Sequence, residues 1–307
     1  MGLLDGRVAI VTGAGRGLGR AHALALAEEG AFVVVNDPGV SGDGSGADPA
    51  PAELVVAEIE KMGGRATANL DSCADWNAAE NLVAQAVDTF GSLDVLVNNA
   101  GILRDKMSFN MTEDEWDVVM QVHLKGHFAP SRFAAAQWRS QAKAGKEVYG
   151  RIINTSSESE YLGLVGQVNY AAAKAGIVGM TVTMARELER VGVTVNAIAP
   201  RARTRMTTSS FSNYRQAEED VFDDRAPENI SPVVVWLASP AAHHVSGQLF
   251  SVYGGDIELK SQPETVAHLS VGDRPWSVDD LLQRSTEFFG DGHPSGVPPL
   301  PAGLGGQ

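Results

Sequence analysis

Residues 7–19 read RVAIVTGAGRGLG, a short apolar, strand-like run that ends in a glycine-rich loop. A helical pattern follows at once over 17–29, so the glycines lie in a strand-to-helix turn. Such a turn lets backbone amides and the positive end of the helix approach a pyrophosphate. The spacing is Thr-Gly-x-x-x-Gly-x-Gly, with Leu18 where the G-x-G-x-x-G pattern requires its third glycine. The alternative is a tight turn that needs glycine for its geometry alone.

Outward from this loop, apolar and β-branched runs alternate with longer helical patterns along most of the chain. The strand-like runs cover residues 7–12, 31–36, 65–70, 93–99, 150–157, 193–199 and 248–252. Strands that alternate with helices favour a parallel sheet covered on both faces, and right-handed crossovers make it doubly wound. The predicted fold class is α/β: a single Rossmann-like, doubly wound parallel sheet of about seven strands with helices on both faces.

Two capping patterns and two long loops add detail to this fold. Thr112 and Glu115 have the spacing of a capping box, and Ser231 is expected to cap a helix whose first position is proline. Irregular stretches over 38–51 and 200–228 follow the second and sixth strands, where ligands bind in open α/β sheets. We interpret the second stretch as a substrate lid and the first as a flap near the adenosine end of a cofactor.

The alternation of strands and helices is lost near the C-terminus. The predicted organisation is one domain over 1–258, which includes the lid, and a C-terminal extension over 259–307. Within the extension, SVDDLLQRSTEFF (277–289) predicts one short amphipathic helix, with Ser277 and Asp280 as a capping box. The Gly/Pro-rich residues after this helix are expected to form a mobile tail.

Composition limits the possible classes of function. Of 307 residues, 44% are hydrophobic and 20% are charged, which is ordinary for a globular protein. The formal net charge of −14 and the absence of a Lys/Arg run disfavour binding to nucleic acid or to an anionic membrane. Cys73 is the only cysteine, and neither a signal peptide nor a transmembrane-length apolar run is visible. We therefore expect a cytoplasmic protein.

The second predicted strand ends in Asn36 and Asp37, about 20 residues after the glycine loop. An acidic residue at this position accepts hydrogen bonds from the adenosine ribose and repels a 2′-phosphate, which favours NAD over NADP. Arg16, within the loop, points the other way, because its cation is able to meet a 2′-phosphate. The alternative for Asp37 is an aspartate that only caps the loop.

Tyr170 and Lys174 lie four residues apart in NYAAAKAG (169–176), among alanines and glycine. Residues with this spacing share one face of a helix. The pair is either a solvated polar edge or a proton-transfer pair, since an ammonium near a phenol favours the phenolate. Ser156 and Ser157, at the end of the fifth strand, are candidate partners for the pair.

Four motifs in order resemble the short-chain dehydrogenase/reductase family over roughly residues 5–258: TGAGRGLG (12–19), NNAG (98–101), Ser157 and the Tyr170/Lys174 pair. VVVNDPG, NNAGILRDK, VHLKGHF, YGRIINTSS and NAIAPRARTRMT are similar to the (3R)-hydroxyacyl-CoA dehydrogenase domain of peroxisomal multifunctional enzymes and their bacterial relatives. The resemblance implies an NAD-dependent oxidoreductase that transfers a hydride between nicotinamide and a secondary alcohol or ketone. The expected substrate is a (3R)-3-hydroxyacyl-CoA or a similarly bulky molecule.

The resemblance also assigns roles. Tyr170 takes or donates the proton, while Lys174 lowers the pKa of the phenol and holds the nicotinamide ribose. Ser157, rather than Ser156, binds the substrate oxygen. The expected cofactor contacts are Gly13, Arg16, Gly17, Leu18, Gly19, Asp37, Asp71, Asn98, Ala100, Gly101, Tyr170, Lys174, Pro200 and Thr204. By family habit, the two long helices after the fourth and fifth strands make a homodimer or homotetramer.

Two positions depart from the family pattern. His123 in VHLKG replaces a catalytic asparagine of many members. Pro200 is followed by Arg201 rather than by glycine, and Thr204 is the hydroxyl nearest to the usual nicotinamide-contacting threonine. Both departures recur in the acyl-CoA subgroup, which favours that assignment.

Several charges and histidines remain open. The candidate contacts for CoA phosphates, or alternatively ordinary solvated loop charges, are Arg104, Lys106, Arg201, Arg203 and Arg205. His123 and His127 are four residues apart but lack the glutamate and third ligand of a zinc site, so we expect no metal.

Other functions of the same fold are possible. A steroid dehydrogenase or a 3-oxoacyl-carrier-protein reductase is the alternative enzyme, although an acidic carrier protein would be repelled by this acidic chain. A dinucleotide-sensing protein is the alternative without catalysis, and the intact Ser157, Tyr170 and Lys174 argue against it.

Overall fold

The apolar runs of the sequence form one eight-stranded sheet in the computed structural model, which describes residues 2–46, 48–204, 221–289 and 296–300. The strands are β1 Val8–Thr12, β2 Phe32–Asn36, β3 Arg65–Asn69, β4 Val95–Asn98, β5 Gly150–Thr155, β6 Val193–Pro200, β7 Leu249–Tyr253 and β8 Asp256–Lys260. Arg205, most of the expected lid and most of the Gly/Pro-rich tail lie outside the described residues.

The order of the strands creates a crevice at the carboxyl ends of β1 and β4. Along the sheet the order is β3-β2-β1-β4-β5-β6-β7-β8, with parallel pairing from β1 to β7. The chain moves outward from β1 to β3 and returns on the other side of β1 as β4. In open α/β sheets ligands bind outside the carboxyl ends of the strands, where this reversal separates the neighbouring loops.

The described helices connect the strands and cover the sheet. They are α1 Gly17–Glu28, α2 Ala50–Lys61, α3 Trp76–Phe90, α4 Glu113–Val119, α5 Gly126–Lys143, α6 Ser159–Leu162, α7 Val168–Leu188, α8 Ser231–Ala238, α9 Val278–Arg284 and α10 Thr286–Phe289. A π-helical turn over Met120–Lys125 joins α4 to α5. Short 3₁₀ turns lie at Ser108–Asn110, Glu189–Val191, Pro227–Asn229 and Pro240–Ala242.

Each face of the sheet has its own apolar core. Val11 of β1 belongs to the cluster beneath α1, α2 and α8, whereas Ile10 belongs to the cluster beneath α3, α5 and α7. Successive strand side chains point to opposite faces, so a fully buried strand such as VAIVT supplies both cores. Trp138 anchors the second core, where its indole Nε1 donates to the Leu93 carbonyl at 2.7 Å.

The α/β, doubly wound prediction is confirmed, with one strand more than expected. Tyr253 and Asp256 pair across Gly254 and Gly255, and β8 then runs antiparallel to β7. Gly254 has a φ of 50°, a left-handed conformation that glycine adopts without strain. β8 was not among the predicted strands, and it crosses the boundary that was expected between residues 258 and 259.

The capping predictions have mixed outcomes. The capping boxes at Thr112–Glu115 and Ser277–Asp280 are both present. Ser231 is the first residue of α8 instead of its cap, and its hydroxyl lies 2.9 Å from His22 Nδ1. The helix expected over 277–289 is divided into α9 and α10. Within the described residues, no helix combines the length and apolar character needed to cross a bilayer.

Candidate active site

Two adjoining cavities open at the carboxyl ends of the parallel strands. The inner cavity is lined by Ser157, Tyr170 and Lys174, together with residues that follow β4, β5 and β6. The loop cavity is lined by the glycine loop, by the ends of β2 and β3, and by part of the 38–51 flap. The residues that line both cavities, and therefore make them continuous, are Leu18, Asn99, Gly101 and Thr204.

The glycine loop is locked against the segment after β4. Thr12 Oγ1 accepts the backbone N–H groups of Asn99 at 3.0 Å and Ala100 at 3.1 Å. Gly13 has a φ of 63°, and a Cβ there would lie 2.8 Å from the Ala100 Cα. A Cβ at Gly19 would lie 2.2 Å from the Gly13 carbonyl oxygen. Both glycines are therefore required by close backbone approach, and the loop is held in a fixed shape at the cavity wall.

Asp37 is oriented by the backbone of two loops. Its Oδ2 accepts from the N–H of Gly15 at 2.8 Å, and its Oδ1 accepts from the N–H of Gly39 at 2.7 Å. Arg16 lies 3.7 Å from the Asp48 carboxylate on the 38–51 flap. The carboxylate of Asp37 thus lines the loop cavity in a fixed position, while the loop arginine already has an acidic partner.

Three of the predicted cofactor residues are not on a cavity wall: Gly19, Asp71 and Asn98. Asn98 is buried, where its Nδ2 donates to Ser131 Oγ at 2.8 Å and to Asn154 Oδ1 at 2.9 Å. These bonds tie β4 to β5 and α5. After Asp71, the next three residues, Ser72, Cys73 and Ala74, line the loop cavity instead.

Tyr170 and Lys174 lie on the same face of α7, and neither is a solvated edge. Lys174 is buried, and its Nζ donates to the Thr155 carbonyl at 2.5 Å and lies 5.4 Å from the centre of the Tyr170 ring. Burial lowers the pKa of Lys174 to about 7, an effect that the Glu160 carboxylate opposes. The amine is therefore held within reach of the phenol by a main-chain carbonyl.

Burial outweighs the effect that was expected of Lys174 on the pKa of Tyr170. Burial raises the pKa of Tyr170 to about 12, the Ser157 hydroxyl acts in the opposite direction, and Asp105 adds to the increase. Desolvation disfavours the charged forms of both side chains, so the phenol stays protonated and the amine is easily neutralised. The expectation considered the spacing of the two groups in the sequence and not the desolvation of their charged forms.

The hydrogen bonds of Ser156 and Ser157 show which of the two serines is available to the phenol. Ser156 also lines the inner cavity, but its hydroxyl is already occupied, because it donates to Glu160 and lies 3.1 Å from the Lys174 carbonyl oxygen. Ser157 Oγ lies beside Tyr170 and accepts the N–H of Ser159 at 3.2 Å. Of the two serines, Ser157 is the one whose hydroxyl interacts with the phenol.

His123 is inserted where the π-helical turn meets the inner cavity. Its Nε2 lies 2.7 Å from the Ile102 carbonyl oxygen, and its ring meets the Tyr170 ring edge-on at 5.0 Å between centroids. Burial, with the nearby Lys174 charge, holds the pKa of His123 well below its usual range. A neutral His123 therefore supports the loop after β4 and packs on the tyrosine.

The profile of the short chain dehydrogenase family matches residues 7–215. This chain belongs to the short-chain dehydrogenase family. As a member, it is an oxidoreductase that acts on CH–OH groups with a nicotinamide cofactor.

Three similar proteins place this short-chain dehydrogenase more narrowly. It is 46% identical over 288 residues to the hydroxyacyl-CoA dehydrogenase ChsB1 of Mycobacterium tuberculosis, an alignment that covers 93% of this chain and 89% of the relative. It is 46% identical over 251 residues to peroxisomal multifunctional enzyme type 2 of Mus musculus, covering 82% of this chain but only 32% of that longer protein. The crystal structure of a short chain dehydrogenase from Mycobacterium avium superposes with a TM-score of 0.84 at 52% identity, covering 95% and 98% of the two chains.

Three of the four arginines that were candidates for CoA phosphates lie in the described part of this short-chain dehydrogenase, and each of the three has an acidic partner. Arg201 pairs with Glu158, Arg203 with Asp223, and Arg104 with Asp43. The backbone N–H of Lys106 donates to the Gly166 carbonyl at 2.7 Å. The described residues contain no group of three or more His, Cys, Asp and Glu side chains placed to hold a metal ion.

Sequence reasoning missed a buried polar chain behind Ser157. Ser159 Oγ donates to Gln167 Oε1 at 2.9 Å, and Gln167 Nε2 donates to Asp105 Oδ2 at 3.0 Å. The chain links the loop after β4 to the serine through side chains that line the inner cavity. The only signal in the sequence was that Ser159 and Gln167 are polar residues between the fifth strand and the helix that carries Tyr170.

Proposed function

We propose that this protein is an NAD-dependent dehydrogenase for a (3R)-3-hydroxyacyl-CoA or a similarly bulky secondary alcohol. The observation that carries the proposal is the convergence of Ser157, Tyr170 and Lys174 on one cavity that opens into the cavity of the glycine loop. The names of the similar proteins favour the acyl-CoA substrate. The acyl chain and the thioester would occupy the inner cavity, whose walls include Leu103, Leu162 and Leu164.

The proposed chemistry divides between the cofactor and three side chains. When bound, nicotinamide supplies or accepts the hydride at the carbinol carbon. In reduction, Tyr170 Oη gives its proton to the developing alkoxide, and in oxidation the phenolate takes the hydroxyl proton. Ser157 Oγ donates a hydrogen bond to the same oxygen and stabilises its negative charge. Lys174, when protonated, adds positive charge near the phenol and so offsets part of the cost that burial imposes on the phenolate.

NAD is the proposed cofactor, and NADP is the alternative. Asp37 presents a carboxylate to the loop cavity at the end of β2, where it accepts two backbone N–H groups and stays in place. A fixed carboxylate accepts hydrogen bonds from ribose hydroxyls and repels a 2′-phosphate. Arg16, the cation that would favour NADP, lies beside Asp48. The predicted contacts on the cavity walls would hold the dinucleotide across both cavities.

We also propose the organisation of the whole protein. The catalytic domain spans 1–258, the remainder is an extension, and the compartment is the cytoplasm. An apolar surface groove formed by Met120, Leu124, Phe128 and Met180 supports a homodimer or homotetramer. These side chains belong to the π-helical turn, α5 and α7, which are the helices that the family resemblance assigns to subunit contact.

The test of the proposed function is a substrate panel followed by nicotinamide absorbance. The panel contains (3R)- and (3S)-3-hydroxybutanoyl-CoA, a longer (3R)-3-hydroxyacyl-CoA, a hydroxysteroid and a 3-oxoacyl carrier protein, each with NAD(H) and NADP(H). We expect turnover of the (3R)-acyl-CoA substrates with NAD. Faster turnover of the steroid or the carrier protein would replace the proposed substrate. Nicotinamide binding without turnover of any substrate would favour a sensor.

A further inference from the structure

A buried ion pair joins the end of β5 to the end of β6 at the inner cavity. The side chains of Glu158 and Arg201 are only 5% and 17% exposed, and both line this cavity. The guanidinium binds side-on, because its Nε and Nη2 both donate to the carboxylate, with Nη2 at 2.6 Å from Oε1. Such two-point geometry fixes the orientation of an arginine more strictly than a single contact does.

Other contacts hold this pair in one position. Glu158 Oε1 also accepts from the hydroxyls of Tyr161 at 3.0 Å and Ser251 at 3.2 Å. The guanidinium carbon of Arg201 lies 4.2 Å from the centre of the Tyr253 ring. The backbone N–H of Arg201 donates to the Val252 carbonyl at 2.9 Å. The arginine that replaces the family glycine is thus fixed by its own backbone, by an aromatic ring and by a carboxylate.

The side-on geometry leaves Nη1, with its two N–H groups, on the opposite side of the guanidinium. No residue in the described part of the chain accepts a hydrogen bond from Arg201 Nη1. The Glu158 carboxylate neutralises the charge of the guanidinium, so the desolvated ion pair has no net charge. Nη1 is the hydrogen-bond donor that this pair still has available. A donor of this kind suits a neutral carbonyl oxygen better than a phosphate, which would gain little from a compensated charge.

We propose that Arg201 Nη1 donates a hydrogen bond to a second oxygen of the substrate, the thioester carbonyl of a 3-oxoacyl or 3-hydroxyacyl thioester. The inference rests on the proposed function, since it names what the inner cavity recognises besides the reacting oxygen. That thioester carbonyl lies two carbons from the reacting carbon, and Glu158 directly follows Ser157 in the chain. Arg201 is then a specificity residue for thioesters, and Glu158 is its positioning residue.

The test compares two CoA ketones that differ at the thioester carbonyl. Acetoacetyl-CoA has it, whereas S-(3-oxobutyl)-CoA has a methylene there and retains the ketone and the CoA. Both are reduced with NADH by the wild type, Arg201→Met and Arg201→Lys. Lysine retains the charge and is able to pair with Glu158, but it lacks the far-side donors. This second variant keeps the test valid if the methionine variant does not fold.

We expect both variants to lose roughly 10- to 100-fold in kcat/KM for acetoacetyl-CoA, which is the usual effect of losing a hydrogen bond from a charged donor. Their kcat/KM for S-(3-oxobutyl)-CoA should stay close to that of the wild type. A purely structural role would lower both values together, so an unchanged ratio between the two ketones would overturn the inference.

Arg274→Lys is the matched control, because Arg274 makes a similar two-point pair with Asp280 in the C-terminal extension. It should leave both kcat/KM values unchanged. Failure of the wild type to reduce either ketone would instead refute the proposed function. The two failures are therefore distinguishable.

Discussion

At the scale of single residues, the central feature is a phenol and an amine that burial keeps from their charged forms. Lys174 donates to the Thr155 carbonyl, and burial lowers its pKa to about 7. In the unfolded chain, a lysine titrates near its ordinary pKa of about 10.4. Between these two values the unfolded state binds more protons than the folded state, so the stability of the fold rises with pH.

This linkage gives a prediction for Lys174→Met in the absence of cofactor. The free energy of unfolding of the wild type should rise relative to the variant between pH 7 and 10, by up to about 1.4 kcal/mol per pH unit. Urea unfolding at several pH values measures the difference. The same substitution at the exposed Lys146 is the control. A difference that stays constant, or that shrinks with rising pH, would contradict the assigned burial of the amine.

Asp37→Asn tests the proposed preference for NAD. The amide keeps one oxygen for the N–H groups of Gly15 and Gly39 but removes the charge that repels a 2′-phosphate. We expect KM for NAD to rise about tenfold or more and KM for NADP to fall, because each charged hydrogen bond contributes about 1.5–3 kcal/mol. Asp43→Asn, on the exposed side of the same flap, is the control. An unchanged ratio of the two KM values would mean that Asp37 does not discriminate between NAD and NADP.

Much of the inner cavity was predictable at this scale, and its electrostatics were not. The spacing of Ser157, Tyr170 and Lys174 in the sequence predicts side chains that the fold brings to one cavity. The pKa of Tyr170 depends on burial by distant segments, and its direction was therefore missed. Glu158 and Arg201 are separated by 43 residues, and no local pattern marks either one as the partner of the other.

At the scale of elements, the fold is positioned by strands that are buried on both faces and by the helices packed on them, of which α3, α4 and α9 begin at a side-chain cap. The parallel strands begin and end within a residue or two of their predicted bounds. Apolar, β-branched runs of this length are stable when they are buried in a parallel sheet, which makes their positions readable from the sequence. β8 was missed because DIELK is mostly exposed, so hairpin pairing rather than burial stabilises it. The Ser231 cap failed because His22, 209 residues away, takes its hydroxyl.

The contribution of the α4 capping box to the free energy of unfolding is easy to measure separately from other contributions. Glu115 N–H donates to Thr112 Oγ1 at 3.3 Å, and Thr112 N–H donates to Glu115 Oε2 at 2.9 Å. Thr112→Ala should lower the free energy of unfolding by about 1 kcal/mol, within a range of roughly 0.5–2 kcal/mol, and leave kcat unchanged. Chemical denaturation measures this loss.

Thr183→Ala is the matched control for the cap. Thr183 is exposed in the middle of α7, and its hydroxyl donates to the Gly179 carbonyl at 2.9 Å. Alanine has the higher helix propensity, so this variant should be neutral or slightly more stable. Equal losses for the two threonines would mean that the capping box makes no special contribution.

At the scale of the whole molecule, a strongly acidic chain carries a small apolar groove on its helical surface. Phe128 is 41% exposed in this groove, beside Met120, Leu124 and Met180. Apolar surface of this kind marks contact sites when it is contiguous. The groove supports the proposed homo-oligomer, and its helices also carry His123, Tyr170 and Lys174.

Phe128→Asp tests the proposed assembly. A charge in the centre of an apolar contact costs several kcal/mol when it is buried, so the variant should be a monomer where the wild type is a dimer or tetramer. Light scattering coupled to gel filtration measures the mass. Leu54→Asp, on the exposed surface of α2, should leave the mass unchanged. A wild type that is monomeric at micromolar concentration would refute the assembly.

The most direct measurement of the central claim is the turnover and NADH affinity of Tyr170→Phe. Phenylalanine keeps the ring that packs on His123 and removes only the hydroxyl that is proposed to move the proton. We predict a loss of about 10²- to 10⁴-fold in kcat with a nearly unchanged Kd for NADH, whereas Tyr149→Phe, at a hydroxyl bonded to the Ala238 carbonyl, should retain full activity. A Tyr170→Phe variant that turns over at the wild-type rate would contradict the account.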